Sequence, residues 1–181
     1  MIIGIAGSFA AGKGTVVDYL KEKGFAHYQA REFITEEILR QGLPVNRDSM
    51  IKVANDLRAL HGPVYIIESL YAKAIQGGTD AIIESIREVA GVRFIKEQGG
   101  VVLGVDAEPH LRYERAFSRG SATDAVTFEK WQAQEKAESN PNDPTKQDIF
   151  GALKESDFII TNNGTVEELR AQVDTFLSAI N

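Results

Sequence analysis

Nine residues near the start of the chain constrain its fold more than any other feature. Gly7-Ser8-Phe9-Ala10-Ala11-Gly12-Lys13-Gly14-Thr15 fits the pattern G-x-x-x-x-G-K followed by G-T. The run before it, Met1–Ala6, is apolar and reads as a buried strand, and the run after it places Val16, Val17 and Leu20 at helical spacing. A strand, a glycine-rich turn and a helix in that order suit a polyphosphate, which must touch several backbone N–H groups at once. Glycine lets the backbone approach closely and take left-handed conformations. The helix that follows presents unpaired N–H donors at the positive end of its dipole. Lys13 adds a compact charge able to follow a phosphoryl group. Gly7, Ala10, Ala11, Gly12, Lys13, Gly14 and Thr15 are the candidate phosphate ligands. The general pattern places Ser or Thr directly after the lysine, with its hydroxyl on Mg²⁺. Gly14 stands there, and the hydroxyl belongs to Thr15. Mg²⁺ is therefore expected to be held mainly through phosphates and waters, with Thr15 and Glu84 as its candidate side chains.

The rest of the chain continues the alternation. Short apolar runs at Phe25–Gln29, Ala81–Glu84, Val101–Asp106 and Phe158–Thr161 read as further strands, covered on both faces. Helical patterns lie between them. Residues 31–41 carry Phe33, Ile34 and Ile38. Asp48 is placed to cap a helix bearing Met50, Val53, Ala54, Leu57 and Leu60 on its buried side. Pro63 fits the first turn of a helix with Ile66, Ile67, Leu70, Ala74 and Ile75, and Pro109 the first turn of 109–119. Thr165 and Glu168 form a capping box for a last helix, whose Val166, Leu169, Val173, Phe176, Leu177 and Ile180 share a face. The alternation predicts an α/β fold: a parallel sheet of about five strands with helices on both faces. Gly120–Lys146 breaks the rhythm. It is polar, contains Asn140-Pro141-Asn142-Asp143-Pro144 and the sole tryptophan, Trp131, and reads as a surface loop or a lid.

Composition narrows the chemistry. Cysteine is absent, which excludes disulfides, thiolate-bound zinc, iron–sulfur clusters and thiol catalysis. His27, His61 and His110 are isolated in sequence and receive no catalytic role. Twenty Lys and Arg against 26 Asp and Glu leave a net charge of −6, a poor balance for a nucleic-acid backbone binder. No apolar run reaches the ~20 residues of a spanning helix. The apolar N-terminus lacks the basic segment of an export signal and runs directly into the glycine-rich loop. The expectation is one cytoplasmic domain over residues 1–181, a monomer or small homo-oligomer, with neither nucleic acid nor membrane as partner.

Gly12-Lys13-Gly14-Thr15 resembles the loop of nucleoside monophosphate kinases such as adenylate kinase, which also begin within a few residues of it. Three further segments are similar to small P-loop kinases that include dephospho-CoA kinase and phage-type deoxynucleotide monophosphate kinases. They are Glu84-Ser85-Ile86-Arg87, Arg112-Tyr113-Glu114-Arg115 with Arg119-Gly120, and Asn162-Asn163-Gly164-Thr165. The resemblance implies a three-layer P-loop NTPase fold with an acceptor-binding insertion over 30–77 and an arginine-bearing lid over 120–146. It implies ATP with Mg²⁺ as donor and a small nucleotide as acceptor. A nucleoside or deoxynucleoside monophosphate leads, and the ribose hydroxyl of dephospho-CoA is the runner-up. It also implies that Asn163 and Gly164 cradle adenine through backbone polar groups.

Charged residues supply the remaining candidates. Ala81-Ile82-Ile83-Glu84 is an apolar strand ending in an acid. In P-loop enzymes such an acid, more often Asp, orients the Mg²⁺ water shell or the nucleophile. Arg87 would grip an acceptor phosphate in a bidentate fork, or else pair with Glu84 or Glu88. Asp106 ends a strand and is a weaker candidate. Arg112, Arg115 and Arg119 fall at i, i+3 and i+7 on one helix face. In the resembling kinases, arginines at the base of the lid stabilise the transferring phosphoryl group, which is the role expected of Arg115 and Arg119. The competing account is a solvated basic face near a helix C-terminus. On the acceptor side the polar candidates are Arg31, Glu32, Asn55 and Arg58. Asn55 and Arg58 share a helix face with Ile51, which suits a base plus a phosphate and equally suits an exposed surface. Thr35 stands where many relatives carry Arg, which shifts weight to Arg31. Glu32 would accept the proton of a sugar hydroxyl. The rival from another class is a regulatory ATP-binding protein with little transfer activity, a reading that Gly14, Thr35 and Glu84 allow.

Overall fold

The computed structural model describes residues 1–118, 126–139 and 147–180. Five parallel strands form its centre in the order β2-β3-β1-β4-β5. They are β1 (Ile2–Gly7), β2 (Ala26–Gln29), β3 (Ala81–Ile86), β4 (Val101–Asp106) and β5 (Phe158–Thr161). The helices are α1 (Lys13–Glu22), α2 (Ala30–Arg40), α3 (Arg47–His61), α4 (Tyr65–Gly77), α5 (Val89–Glu97), α6 (Pro109–Ser118), α7 (Phe128–Glu138), α8 (Ile149–Lys154) and α9 (Val166–Ile180).

The period-two alternation of β1 assigns its side chains to two cores. Ile3 and Ile5 join Ile82, Leu103 and Val105 beneath α1 and α9, where Val17, Leu20 and Phe176 close the layer. Ile2 and Ala6 join Ile83, Ile86 and Val102 beneath Ile38, Leu70 and Ile95 of α2, α4 and α5. Burying one such aliphatic side chain contributes roughly 1.5–3 kcal/mol. A one-residue slip of β1 would exchange the two sets, so its register is fixed. With β1 central, the turn after Gly7 lies over the middle of the sheet, at the carboxyl ends of the strands where α/β sheets place ligands. β5 is an edge, and its Phe158 and Ile159 remain partly exposed.

The fold class matches the sequence pattern, and several local details differ. β3 runs two residues past Glu84 to Ile86, because Ser85 is an extra residue in the ladder with β1 and takes a φ of +74°. Asn46 caps α3, its side chain accepting from Ser49 N, so Asp48 lies in the first turn instead of capping it. Pro63 precedes α4, which starts at Tyr65. Leu60, Ile75 and Val166 are exposed, each within two residues of an end of its helix.

The polar stretch that begins at Gly120 contains α7, capped by the Thr127 hydroxyl. Trp131 on α7 is only 4% exposed and packs with Ala10 and Ala116 in a small third core. α8 follows, with Asp148 accepting from Gly151 N at 3.0 Å as its cap. Among the described residues no helix is long and apolar enough to cross a membrane.

Candidate active site

The loop from Gly7 to Thr15 joins β1 to α1 and is shaped by backbone conformations that glycine permits. Gly7 has a φ of +149°, and a Cβ there would lie 2.2 Å from the Val105 carbonyl oxygen. Gly12, at φ +96°, would bring a Cβ to 2.2 Å from Asn162 Nδ2. Ala10 takes a left-handed φ of +57° despite its methyl group. Ser8 N donates to the Val105 carbonyl at 3.2 Å, which ties the loop to β4. No side chain caps the N-terminus of α1, and its first turn carries no acid. Thr15 N and Val16 N donate to the Gly12 carbonyl, and the positive end of the helix dipole lies at the loop. Lys13 folds back over the loop and donates from Nζ to the carbonyls of Gly7 (2.9 Å) and Ser8 (2.8 Å). Gly14 is open: a methyl group added there would meet nothing within 4 Å.

A cleft of about 490 Å³ opens beside this loop, lined by Gly12, Thr15, Glu114, Arg115, Asn162 and Gly164 among others. It lies between α1, α6 and the start of α9. Arg115 Nη1 is buried and lacks a hydrogen-bond partner among the described residues. Asn163 turns away and its side chain accepts from Glu108 N at 2.8 Å. Thr165 and Glu168 exchange the two hydrogen bonds of the expected capping box, which fixes the turn carrying Gly164. Asn162, adjacent to two residues singled out by the sequence, makes the closest link. Buried to 8% exposure, it donates from Nδ2 to the Ala11 carbonyl at 2.9 Å and from its backbone N to the Asp106 carbonyl at 2.8 Å. The Asn-Asn-Gly run marks this turn, but not which asparagine faces the loop.

Glu84 lies at the far side of the loop, on the same face of the sheet as Ile82. Its Oε2 meets His27 Nε2 at 3.0 Å, and both side chains are 17% exposed. The hydrogen bond from His27 holds the Glu84 carboxyl below the usual glutamate range. It outweighs the opposing effect of burial, and the charges of Lys13 and Arg87 act in the same direction. No sequence signal links His27 to Glu84, since 57 residues separate them. Among the described residues Arg87 Nη1 has a neutral hydrogen-bond partner, Gln147 Oε1, at 3.4 Å. Arg58 does not stand open: its Nη2 lies 3.5 Å from Glu88 Oε1. Burial pushes the Glu88 carboxyl up, and Arg58 pulls it partly back. The sequence points to Glu88 only as a partner for Arg87.

Arg31, Glu32 and Asn55 are exposed on α2 and α3, and Glu32 accepts from Gln29 Nε2 at 2.6 Å. Arg119 lies outside the described residues, as do 120–125 and 140–146.

The residues present fit a bound nucleoside triphosphate. The uncapped helix end, the glycine cradle and the unpartnered Arg115 donor all suit an anion. Among the described residues no group of three or more His, Asp and Glu side chains converges on one point. Thr15 and Glu84 would thus approach a magnesium ion held chiefly by phosphates and waters.

No family model matches the chain. It is 25% identical over 187 residues to a UPF0200 protein of Thermococcus kodakarensis, covering 99% of this chain and 98% of that one. Among solved structures, shikimate kinase from Aquifex aeolicus superposes with a TM-score of 0.61 at 14% identity, over 99% of this chain and 97% of that one. Dephospho-CoA kinase from Campylobacter jejuni does so with a TM-score of 0.54 at 16% identity, over 99% and 97%. The chain has the three-layer P-loop fold of small-molecule kinases.

Proposed function

We propose that this chain is a P-loop kinase that moves the γ-phosphoryl group of ATP to a small acceptor. The observation that carries the reading is one juxtaposition. Gly12 and Thr15 at the uncapped start of α1 line one cleft together with Arg115, and Lys13 lies in the loop beside it. Gly7 to Thr15 would hold the phosphates through backbone N–H groups, and the turn at Asn163 and Gly164 would border the base. Residues 30–77 would form the acceptor side and residues 120–146 a lid that brings Arg119 to the phosphates. Mg²⁺ bound with the nucleotide neutralises charge on the β and γ oxygens.

The residues of the chain act by placement and charge. As the acceptor oxygen bonds to the γ-phosphorus, the bond to the β–γ bridging oxygen breaks and ADP leaves. Lys13 moves with the phosphoryl oxygens, and Arg115 meets negative charge as it spreads. Glu84 is kept ionised by His27, so it orients water or the nucleophile without taking up a proton at neutral pH.

A nucleoside or deoxynucleoside monophosphate is the acceptor that Arg87 and Arg31 support, because neither forms a direct ion pair among the described residues, although the charges of Glu84 and Glu88 reach Arg87. One observation favours a hydroxyl acceptor such as dephospho-CoA instead: Glu88 already engages Arg58, which weakens an anion clamp. The two solved neighbours are themselves named for shikimate and for dephospho-CoA. The deciding experiment measures ADP release from MgATP against monophosphates, deoxymonophosphates and dephospho-CoA. Stimulation by monophosphates supports the first acceptor class, and stimulation by dephospho-CoA alone the second. ATP binding with a flat panel would point instead to a regulatory nucleotide-binding protein or to an acceptor outside both classes.

A further inference from the structure

The most buried ion pair among the described residues lies outside the chemistry assigned above. Arg112 on α6 and Glu135 on α7 have side chains 4% and 6% exposed. Arg112 Nη2 donates to Glu135 Oε2 at 3.0 Å, and Nη1 donates to Oε1. The same guanidinium reaches two backbone carbonyls, Ala107 from Nε at 2.9 Å and Phe9 from Nη1 at 3.3 Å. It also lies over the Trp131 ring, 5.2 Å from the centroid. Phe9 belongs to the phosphate loop, and its ring meets Trp131 at 6.4 Å.

The loop has a reason to need support at this point. Ala10, directly after Phe9, holds a left-handed φ that opposes its own Cβ. Its methyl is packed in the small core with Ala116 and Trp131. On the other side, Asn162 holds the Ala11 carbonyl. The strained turn is therefore gripped residue by residue: Phe9 by Arg112, Ala10 by the α6–α7 core, and Ala11 by the β5–α9 turn. A buried charge pair is a poor source of stability compared with apolar side chains of equal size. Arg112 does what an apolar side chain cannot, since its planar fork satisfies Glu135 and a loop carbonyl together.

We propose that Arg112 is a positioning residue for the phosphate loop: Glu135 and Trp131 of α7 aim its guanidinium at the Phe9 carbonyl, so that the α6–α7 pair sets the loop shape that receives nucleotide. The nucleotide part of this inference rests on the kinase reading above. The loop part does not.

The test separates support of the loop from support of the fold. Glu135→Leu alone leaves the buried guanidinium with Asp106, 3.7 Å from Nε, as its one acid among the described residues and is expected to lower Tm. Arg112→Met combined with Glu135→Leu replaces the pair by apolar side chains and is expected to recover Tm. In the double variant the Phe9 carbonyl has lost its donor. That variant should then bind MgATP about tenfold more weakly than the wild type at nearly wild-type Tm, the scale of one lost charge-assisted hydrogen bond. Its ligand-free loop peptide, residues 7–15, should exchange amide hydrogens faster. Wild-type exchange and wild-type MgATP affinity in the double variant would overturn the proposal. If the double variant does not fold, Arg112→Lys serves. It keeps the charge for Glu135 but cannot span both partners, so weaker MgATP binding and faster loop exchange are again expected, and wild-type values again overturn the proposal. Loop exchange is read without nucleotide. A wild-type protein that binds no MgATP would therefore overturn the kinase reading, while the exchange difference still decides the role of Arg112.

Discussion

The two ends of the candidate site are built from different materials. The donor end is backbone: glycines at positive φ, an uncapped helix terminus and carbonyls held by Asn162 and Arg112. The end proposed for the acceptor is side chains, several of which already answer one another: His27 with Glu84, Arg58 with Glu88, Gln29 with Glu32. A backbone cradle fits any polyphosphate and tolerates little change in sequence. A lattice of paired side chains can be retuned by exchanging partners, so it is where acceptor choice would reside. The donor end should therefore respond to single substitutions with large losses, and the acceptor end with smaller, coupled ones.

The largest expected effect is at Lys13. Lys13→Ala should lower transfer by about 10²–10³-fold, the cost of removing one preorganised charge donor from the developing oxyanion. Its hydrogen bonds to the Gly7 and Ser8 carbonyls are part-buried, so some loss of Tm is expected beside the far larger loss of transfer. Full transfer activity in that variant would show that the loop does not hold the reacting phosphates.

The next effect divides two glycines of the same loop. Gly12→Ala places a methyl 2.2 Å from the Asn162 amide at a φ of +96°. The left-handed backbone costs about 1–2 kcal/mol and the displaced Asn162 hydrogen bond about 1 more. Gly14→Ala meets nothing within 4 Å and lies inside α1. There the lost glycine entropy stabilises by about 0.5–1 kcal/mol. Denaturation midpoints should thus move in opposite directions. Parallel shifts would mean that the loop is not shaped by its backbone.

This difference in material also explains what is legible in the sequence alone. The alternation of apolar runs, with Gly7, Gly12 and Lys13 at fixed spacing, reveals the sheet and the loop because those features are local. Asn46 displaces Asp48 as a cap by two positions, a choice that depends on where the preceding loop enters α3. α7 is hidden because its one buried aromatic, Trp131, sits in a polar stretch and packs on residues far away in sequence. His27 and Glu135 carry no sequence signal of their partners, and Glu88 only one toward Arg87, because each acquires its partner through the fold. The separations are 57 residues for His27–Glu84 and 23 for Arg112–Glu135. Asn162 and Asn163 are chemically identical neighbours, and only the direction of the turn after β5 decides between them.

On the acceptor side, Arg58 and Glu88 form the pair to break. A double-mutant cycle with Arg58→Ala and Glu88→Ala should give a coupling of about 1–2 kcal/mol in stability, within the usual range for contacting charges. The coupling should shrink when the acceptor occupies the site if Arg58 exchanges Glu88 for an acceptor anion. A coupling near zero in the free protein would remove the contrast between the two ends, leaving Arg58 available from the start.

The smallest effect is the most specific, and it concerns pH. The His27 hydrogen bond lowers the Glu84 pKa in the folded protein relative to an ordinary glutamate, near 4.3. An acid with a depressed folded pKa adds stability that is complete above its unfolded pKa and disappears as pH falls through the folded value. The window for Glu84 therefore runs from about pH 4.3 downward. His27→Ala removes the first cause of the depression and leaves burial, which acts the other way. The variant should be less stable than the wild type at pH 7, by about 1 kcal/mol for one hydrogen bond to a charged group. Its deficit should narrow on acidification below the window, because the wild type loses there what the variant never had. Denaturant titrations of both proteins at pH 7 and at successive pH values well below that window's upper end measure the deficits. A deficit that stays constant would place the value of His27 in packing alone. A deficit that narrows would show that His27 keeps Glu84 charged, and that the acceptor end is tuned by a pairing no local reading of the chain displays.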